Sequence, residues 1–218
     1  MRRWLAGATL LLAPAWCWAH SPIPGIGHFY SGMLHPLVVP AQLVALLALG
    51  LLVGQRGAVL RGAAITALIL ALPLGLALSR VAAAGGGMAT DTLLLAVGAC
   101  VALAVSAAQS MPRWTLLAGA AATGLLVGLG ADPDGLEGSA RALSLAGSWL
   151  GAAIVVAWIA VMTEFLRRDW MKIGVRVVGS WVAAAAMIVL ALSWVGPRSD
   201  GQAAAKAAGR AAAGQPAR

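Results

Sequence analysis

Apolar runs long enough to cross a bilayer follow one another through this chain with little polar relief, and that leaves helices as the only admissible architecture. A hydrocarbon core about 30 Å thick takes roughly 20 residues of helix. Backbone N–H and C=O groups find no water in lipid, so open sheets are excluded. The alternating pattern of an outer-membrane barrel is absent, and long Ala, Leu and Val runs stand in its place. With 61% hydrophobic and 10% charged residues and a mean hydropathy of +0.89, the chain is expected to be an all-α, polytopic membrane helix bundle.

Six spans are predicted within a transmembrane domain over residues 34–195. They run from Leu34 to Gly54, Ala58 to Ser79, Thr92 to Ser110, Trp114 to Gly130, Ala142 to Met162 and Val175 to Val195, each bounded by Arg, Pro, Gly or acidic residues. Pro36 and Pro40 fall in the first turns of span one, where a missing amide hydrogen costs little; Pro73 lies inside span two and is expected to kink it. Residues 1–19 have the form of a secretory signal peptide, with Arg2 and Arg3 before the apolar run Leu5 to Leu12 and a small residue at Ala19. Cleavage there makes His20 the first residue of the mature chain and Cys100 its sole thiol, which excludes an intrachain disulfide and a CxxC metal site. Residues 196–218 turn to Ala, Gly, Gln and Lys/Arg with no bulky apolar side chain, the composition of a disordered tail.

Basic residues set the expected orientation. Arg56, Arg61, Arg113, Arg167, Arg168, Lys172 and Arg176 flank one set of loops, whereas the other set holds Arg80 and Arg141 with Asp91, Asp132, Asp134 and Glu137. By the positive-inside rule the acidic loops and the mature N-terminus face outward, in a bacterial inner (plasma) membrane. The net charge of +8 then reads as a topology signal; the basic residues are dispersed and have no aromatic platform, so no nucleic-acid partner is expected.

Small residues recur every fourth position at Gly50 and Gly54, at Ala120, Gly124 and Gly128, and at Gly147 and Gly151. Such stripes let helix backbones approach closely, either inside one bundle or across a dimer face. Trp114, Trp170 and Trp194 lie near span ends as interfacial anchors; Trp149, Trp158 and Trp181 lie deeper, facing lipid or packed.

All three histidines, His20, His28 and His35, fall in or next to the periplasmic, interfacial segment 20–33. Ile26, Phe29, Tyr30 and Met33 recur at helical spacing, as in a short helix in the interface before the chain dives at Pro36. On a helix, His28 and His35 are two turns apart on one face, and Gln42 continues that face. The metal candidates are therefore His28, His35, His20 through its ring and its free amine, and Gln42, with backbone carbonyls freed by Pro36 and Pro40 as weak ligands. Neutral imidazole suits Ni²⁺, Co²⁺, Cu²⁺ and Zn²⁺.

The run Gly32-Met-Leu-His35-Pro36-Leu, followed by an apolar span that ends in Gly54, resembles the first motif of the HupE/UreJ family of membrane proteins. Arg176-Val-Val-Gly179 and the Ala-rich run after it resemble that family's closing element. The resemblance implies about six helices after a signal peptide and a permease for nickel or cobalt, carried as cargo with no permanently bound cofactor. In the family, a His is followed after five residues by an Asp-His pair. Here His35 fits the first position while Ala41 and Gln42 occupy the pair, and the family's second His-containing helix has no counterpart.

Two function classes follow. One is a divalent transition-metal permease. The other is a non-transporting accessory or assembly subunit, a homo-oligomer or the partner of another membrane protein, whose helices bind through the small-residue stripes. An enzyme is not expected: Gly-x-Ser-x-Gly, His-Glu-x-x-His and a phosphate-binding Gly-rich loop are all missing from the chain.

Overall fold

The computed structural model describes residues 26–84, 87–108, 111–133, 135–166 and 168–195. The expected signal peptide, His20 and the tail lie outside the described residues. Seven helices account for almost all of the rest: α1 (Gly27–Val38), α2 (Pro40–Gly54), α3 (Ala58–Ala84), α4 (Gly87–Ala107), α5 (Arg113–Leu129), α6 (Gly138–Phe165) and α7 (Asp169–Val195). No strand occurs among the described residues. The protein is an all-α membrane helix bundle. Four helices, α3, α4, α6 and α7, are long and apolar enough to cross a bilayer, α1 and α2 reach that length only as a pair joined at a sharp bend, the form of a broken span or of a re-entrant loop, and α5 is a shorter apolar helix.

The first span is where the fold departs from the expected continuous helix. Its axis turns by 74° between α1 and α2. The cause is local: Pro40 pushes the preceding residue out of the α region, and Val39 is extended, with φ −84° and ψ 111°. Pro36, by contrast, sits inside α1. An interfacial helix before a dive was expected; the corner is at Val39, not Pro36.

Proline removes a donor from the carbonyl four residues earlier, and this bundle replaces both missing donors from α6. Pro36 orphans Gly32 O, and Ser148 Oγ donates to it at 3.0 Å. Pro73 orphans Ile69 O, and Trp149 Nε1 donates to it at 3.1 Å. The α3 helix accordingly runs through Pro73 without interruption. In lipid such repair by neighbouring side chains is what makes an internal proline tolerable.

The centre of the bundle is α2, where every residue from Ala45 to Gly54 except Leu47 is buried. The small-residue stripes are used inside this one chain. Gly147 and Gly151 of α6 lie against the α1 backbone at Phe29 and Met33, and Gly32 of α1 lies against Ser144. Gly50 faces Ile159, Gly54 faces Thr163 and the Ala160 carbonyl, and Gly124 and Gly128 lie against the α3 backbone at Leu68 and Leu72. The outer surface carries apolar side chains such as Val59, Leu70, Trp158, Trp181 and Ile188, the surface a bilayer covers.

The two loop sets occupy opposite ends of the bundle. Arg61 at the start of α3 pairs with Glu164 at the end of α6 at 2.8 Å, whereas Ser79 near the end of α3 accepts a hydrogen bond from Arg141 Nη2 at 2.9 Å. About 27 Å of helix separates Arg61 from Ser79, close to one hydrocarbon thickness.

A candidate cation site at the acidic end

The corner at Val39 brings together residues that a straight helix would hold two turns apart. His35 lies in the last turn of α1 and Gln42 in the first turn of α2. Their Nε2 atoms are 3.4 Å apart. Both address the carbonyl of Gly130 at the end of α5: Gln42 Nε2 donates to Gly130 O at 3.1 Å, and His35 Nε2 lies 3.4 Å from the same oxygen. That donor fixes the sense of the amide and leaves its oxygen facing elsewhere. Gln42 is fully buried, and Oε1 has no hydrogen-bond partner. A buried polar atom in this condition costs about 1–3 kcal/mol.

A carboxylate flanks the cluster. A Cβ placed on Gly130 would lie 3.4 Å from Gln42 Nε2 and 3.8 Å from Asp91 Oδ1, so Asp91, in the first turns of α4, and Gln42 border the same small space. A side chain at position 130 would enter that space, which is a local reason for glycine there. Neither Asp91 nor the Gly130 carbonyl was among the sequence candidates. The signal for Asp91 is a lone carboxylate at the start of an apolar helix, but nothing in the sequence pairs it with His35.

The other candidates are placed differently. His28 is exposed on the first turn of α1, two turns from His35. Ser148 occupies the carbonyl that Pro36 frees, so that oxygen is not held for an ion as the sequence suggested. Among the described residues no three His, Cys, Asp or Glu side chains gather. The groups that converge are therefore mixed: one imidazole, one amide presented through its nitrogen, one main-chain carbonyl and one nearby carboxylate.

Arg141 braces the loop that carries Gly130. Its Nε and Nη2 both reach Asp132 Oδ1 at 2.9 Å, and Nη2 also donates to Ser79 Oγ, tying α3, α6 and the loop after α5 to one guanidinium. The pair is largely enclosed, with side-chain exposures of 18% and 20%. Arg141→Ala is expected to lower stability by about 1–3 kcal/mol, read as a fall in the unfolding temperature in detergent. The equivalent change at the exposed Lys172–Asp169 pair should leave that temperature nearly unchanged.

Comparison with protein-family models, curated proteins and solved structures returned no match. The functional reading therefore rests on the residues themselves.

Proposed function

We propose that this protein is a HupE/UreJ-like membrane permease for divalent transition-metal cations, nickel or cobalt, with His35, Gln42, Asp91 and the Gly130 carbonyl forming its binding site on the outer side of a bacterial inner membrane. The observation that carries the reading is the buried amide of Gln42, whose Nε2 meets His35 Nε2 and whose Oε1 has no hydrogen-bond partner; a half-turn of the amide would bring that oxygen to the His35 side. An ion of suitable size would supply what that oxygen lacks. The imidazole gives the preference for late first-row metals over hard cations, and Asp91 stands where it can replace in space the carboxylate that the family motif carries in sequence. Weak and mixed donors suit a site that must release its cargo. Exposed His28 lies before the site on α1, and Glu137, in the loop before α6, adds negative charge at the same end.

Beneath the site α2 is packed with apolar side chains from Ala45 to Val53, so passage requires α2 to move against its neighbours. That packed stretch favours a modified form of the second reading: an accessory subunit that does not transport but, unlike the one drawn from the sequence, holds a cation. The small-residue stripes do not serve it, since they are occupied within the chain.

Purified full-length protein should bind Ni²⁺ with an affinity that His35→Ala lowers at least about tenfold, roughly the weight of one ligand interaction, while His28→Ala lowers it less. Lowering the pH weakens binding, because a protonated imidazole has no lone pair to give. Proteoliposomes separate the two readings: uptake of nickel supports the permease, and binding without uptake supports the accessory protein. Equal nickel binding by the parent and His35→Ala would overturn both.

A further inference from the structure

The opposite, basic end of the bundle contains a cavity of about 590 Å³ where the C-terminal ends of α2 and α6 meet the first turns of α7. Its lining includes Arg56, Lys172 and Arg176 but only one carboxylate, Glu164, and Arg61 already holds that carboxylate from outside the cavity at 2.8 Å. The ends of α2 and α6 contribute partial negative charge, but Arg56, Arg61, Lys172 and Arg176 against Glu164 and Asp169 leave a surplus of two full positive charges. Gln55 and Thr163 add polar atoms to the wall. Arg176 is anchored, since its Nε donates to Ser106 O at 2.9 Å, which presents the guanidinium as a fixed fork suited to an oxyanion. Lys172 pairs with exposed Asp169, a screened contact that an anion can displace.

We infer that this cavity is a binding site for a phosphate group, with the headgroup of an anionic phospholipid as its source. The neighbouring sequence supports the lipid: Phe165, Trp170 and Ile173, within two residues of the lining residues Glu164 and Lys172, are exposed by 70%, 65% and 60%, large apolar side chains suited to acyl chains. Basic pockets between membrane helices are suited to acidic headgroups, each cation contributing about a factor of five in affinity. The ligand would bridge α2, α6 and α7 at the end remote from His35.

The test is lipid-dependent thermal stabilisation of the full-length protein in detergent, titrated with phosphatidylglycerol, phosphatidylcholine and inorganic phosphate. Phosphatidylglycerol should stabilise saturably and phosphatidylcholine should not. The Lys172→Gln/Arg176→Gln variant should need about thirtyfold more phosphatidylglycerol, Lys172→Gln alone about fivefold more, and the charge-keeping Lys172→Arg/Arg176→Lys variant about as much as the parent. Arg113→Gln/Arg168→Gln removes as much charge from the same end without touching the cavity, and it should titrate like the parent. Competition by inorganic phosphate would show that the phosphate group alone is recognised; stabilisation that phosphate does not compete would show that the acylated phosphodiester is needed. Equal loss in the Arg113/Arg168 variant, equal stabilisation by phosphatidylcholine, or unchanged titration of the Lys172 and Arg176 variants would overturn the site.

Discussion

Gln42→Leu is expected to abolish stabilisation by nickel while leaving the cation-free bundle as stable as the parent or about 1 kcal/mol more stable. The sign follows from two opposed terms. Leucine is close to glutamine in volume and removes the buried, unpartnered Oε1, a relief of about 1–3 kcal/mol. It also removes the hydrogen bond from Nε2 to Gly130 O, a loss of about 1 kcal/mol, part of which His35 Nε2, at 3.4 Å from the same oxygen, can restore. In the parent protein, nickel at a hundred times its dissociation constant should add about 2.7 kcal/mol of stability. Thermal unfolding with and without nickel reads both effects together. A Gln42→Leu protein that is markedly less stable without metal would mean that the amide is there for packing and hydrogen bonding, and the cation site would lose its principal support.

Gly147→Ala should cost about 3 kcal/mol or more, at the upper end for overpacking, although the change adds a single methyl group. The added carbon would fall on the α1 backbone at the Phe29 carbonyl and the Met33 nitrogen, atoms with no rotamer to escape into. Relief requires α1 to move off α6, which would also strain the bond from Ser148 to Gly32 O and carry His35 away from Gly130. Loss of nickel binding should therefore accompany the fall in unfolding temperature. Gly119→Ala is the matched comparison: a Cβ there meets nothing within 4 Å, and replacing a helical glycine without a clash should stabilise by about 0.5–1 kcal/mol. If both variants behave alike, the α1–α6 contact is looser than the structure shows.

These two residues also mark how far the chain's organisation could be read in advance. By sequence, Gln42 is a candidate ligand because it continues the face of His28 and His35. Its actual partnership with His35 arises from the 74° corner, which shortens a separation of two helical turns to a 3.4 Å contact. His28, on the far side of no such corner, remains two turns away and exposed. Gly147 was recognised as part of a close-packing stripe, but the stripe alone left open whether another helix of this chain or a second molecule would fill it. The structure answers with α1.

Amino-acid order by itself determined that the chain is helical and membrane-embedded, which stretches form the cores of its helices, and which loops share an end of the bundle, because hydropathy, proline and charge act over a few neighbouring residues. Only the tertiary structure decided that Gly130 and Asp91 join His35 and Gln42, that α6 repairs the carbonyls orphaned by Pro36 and Pro73, and that Arg56, Lys172 and Arg176 line one cavity. Those contacts join positions far apart in the chain. They depend on how helices rotate and cross, and in a membrane that is set by close backbone packing and the satisfaction of buried polar groups rather than by any local pattern.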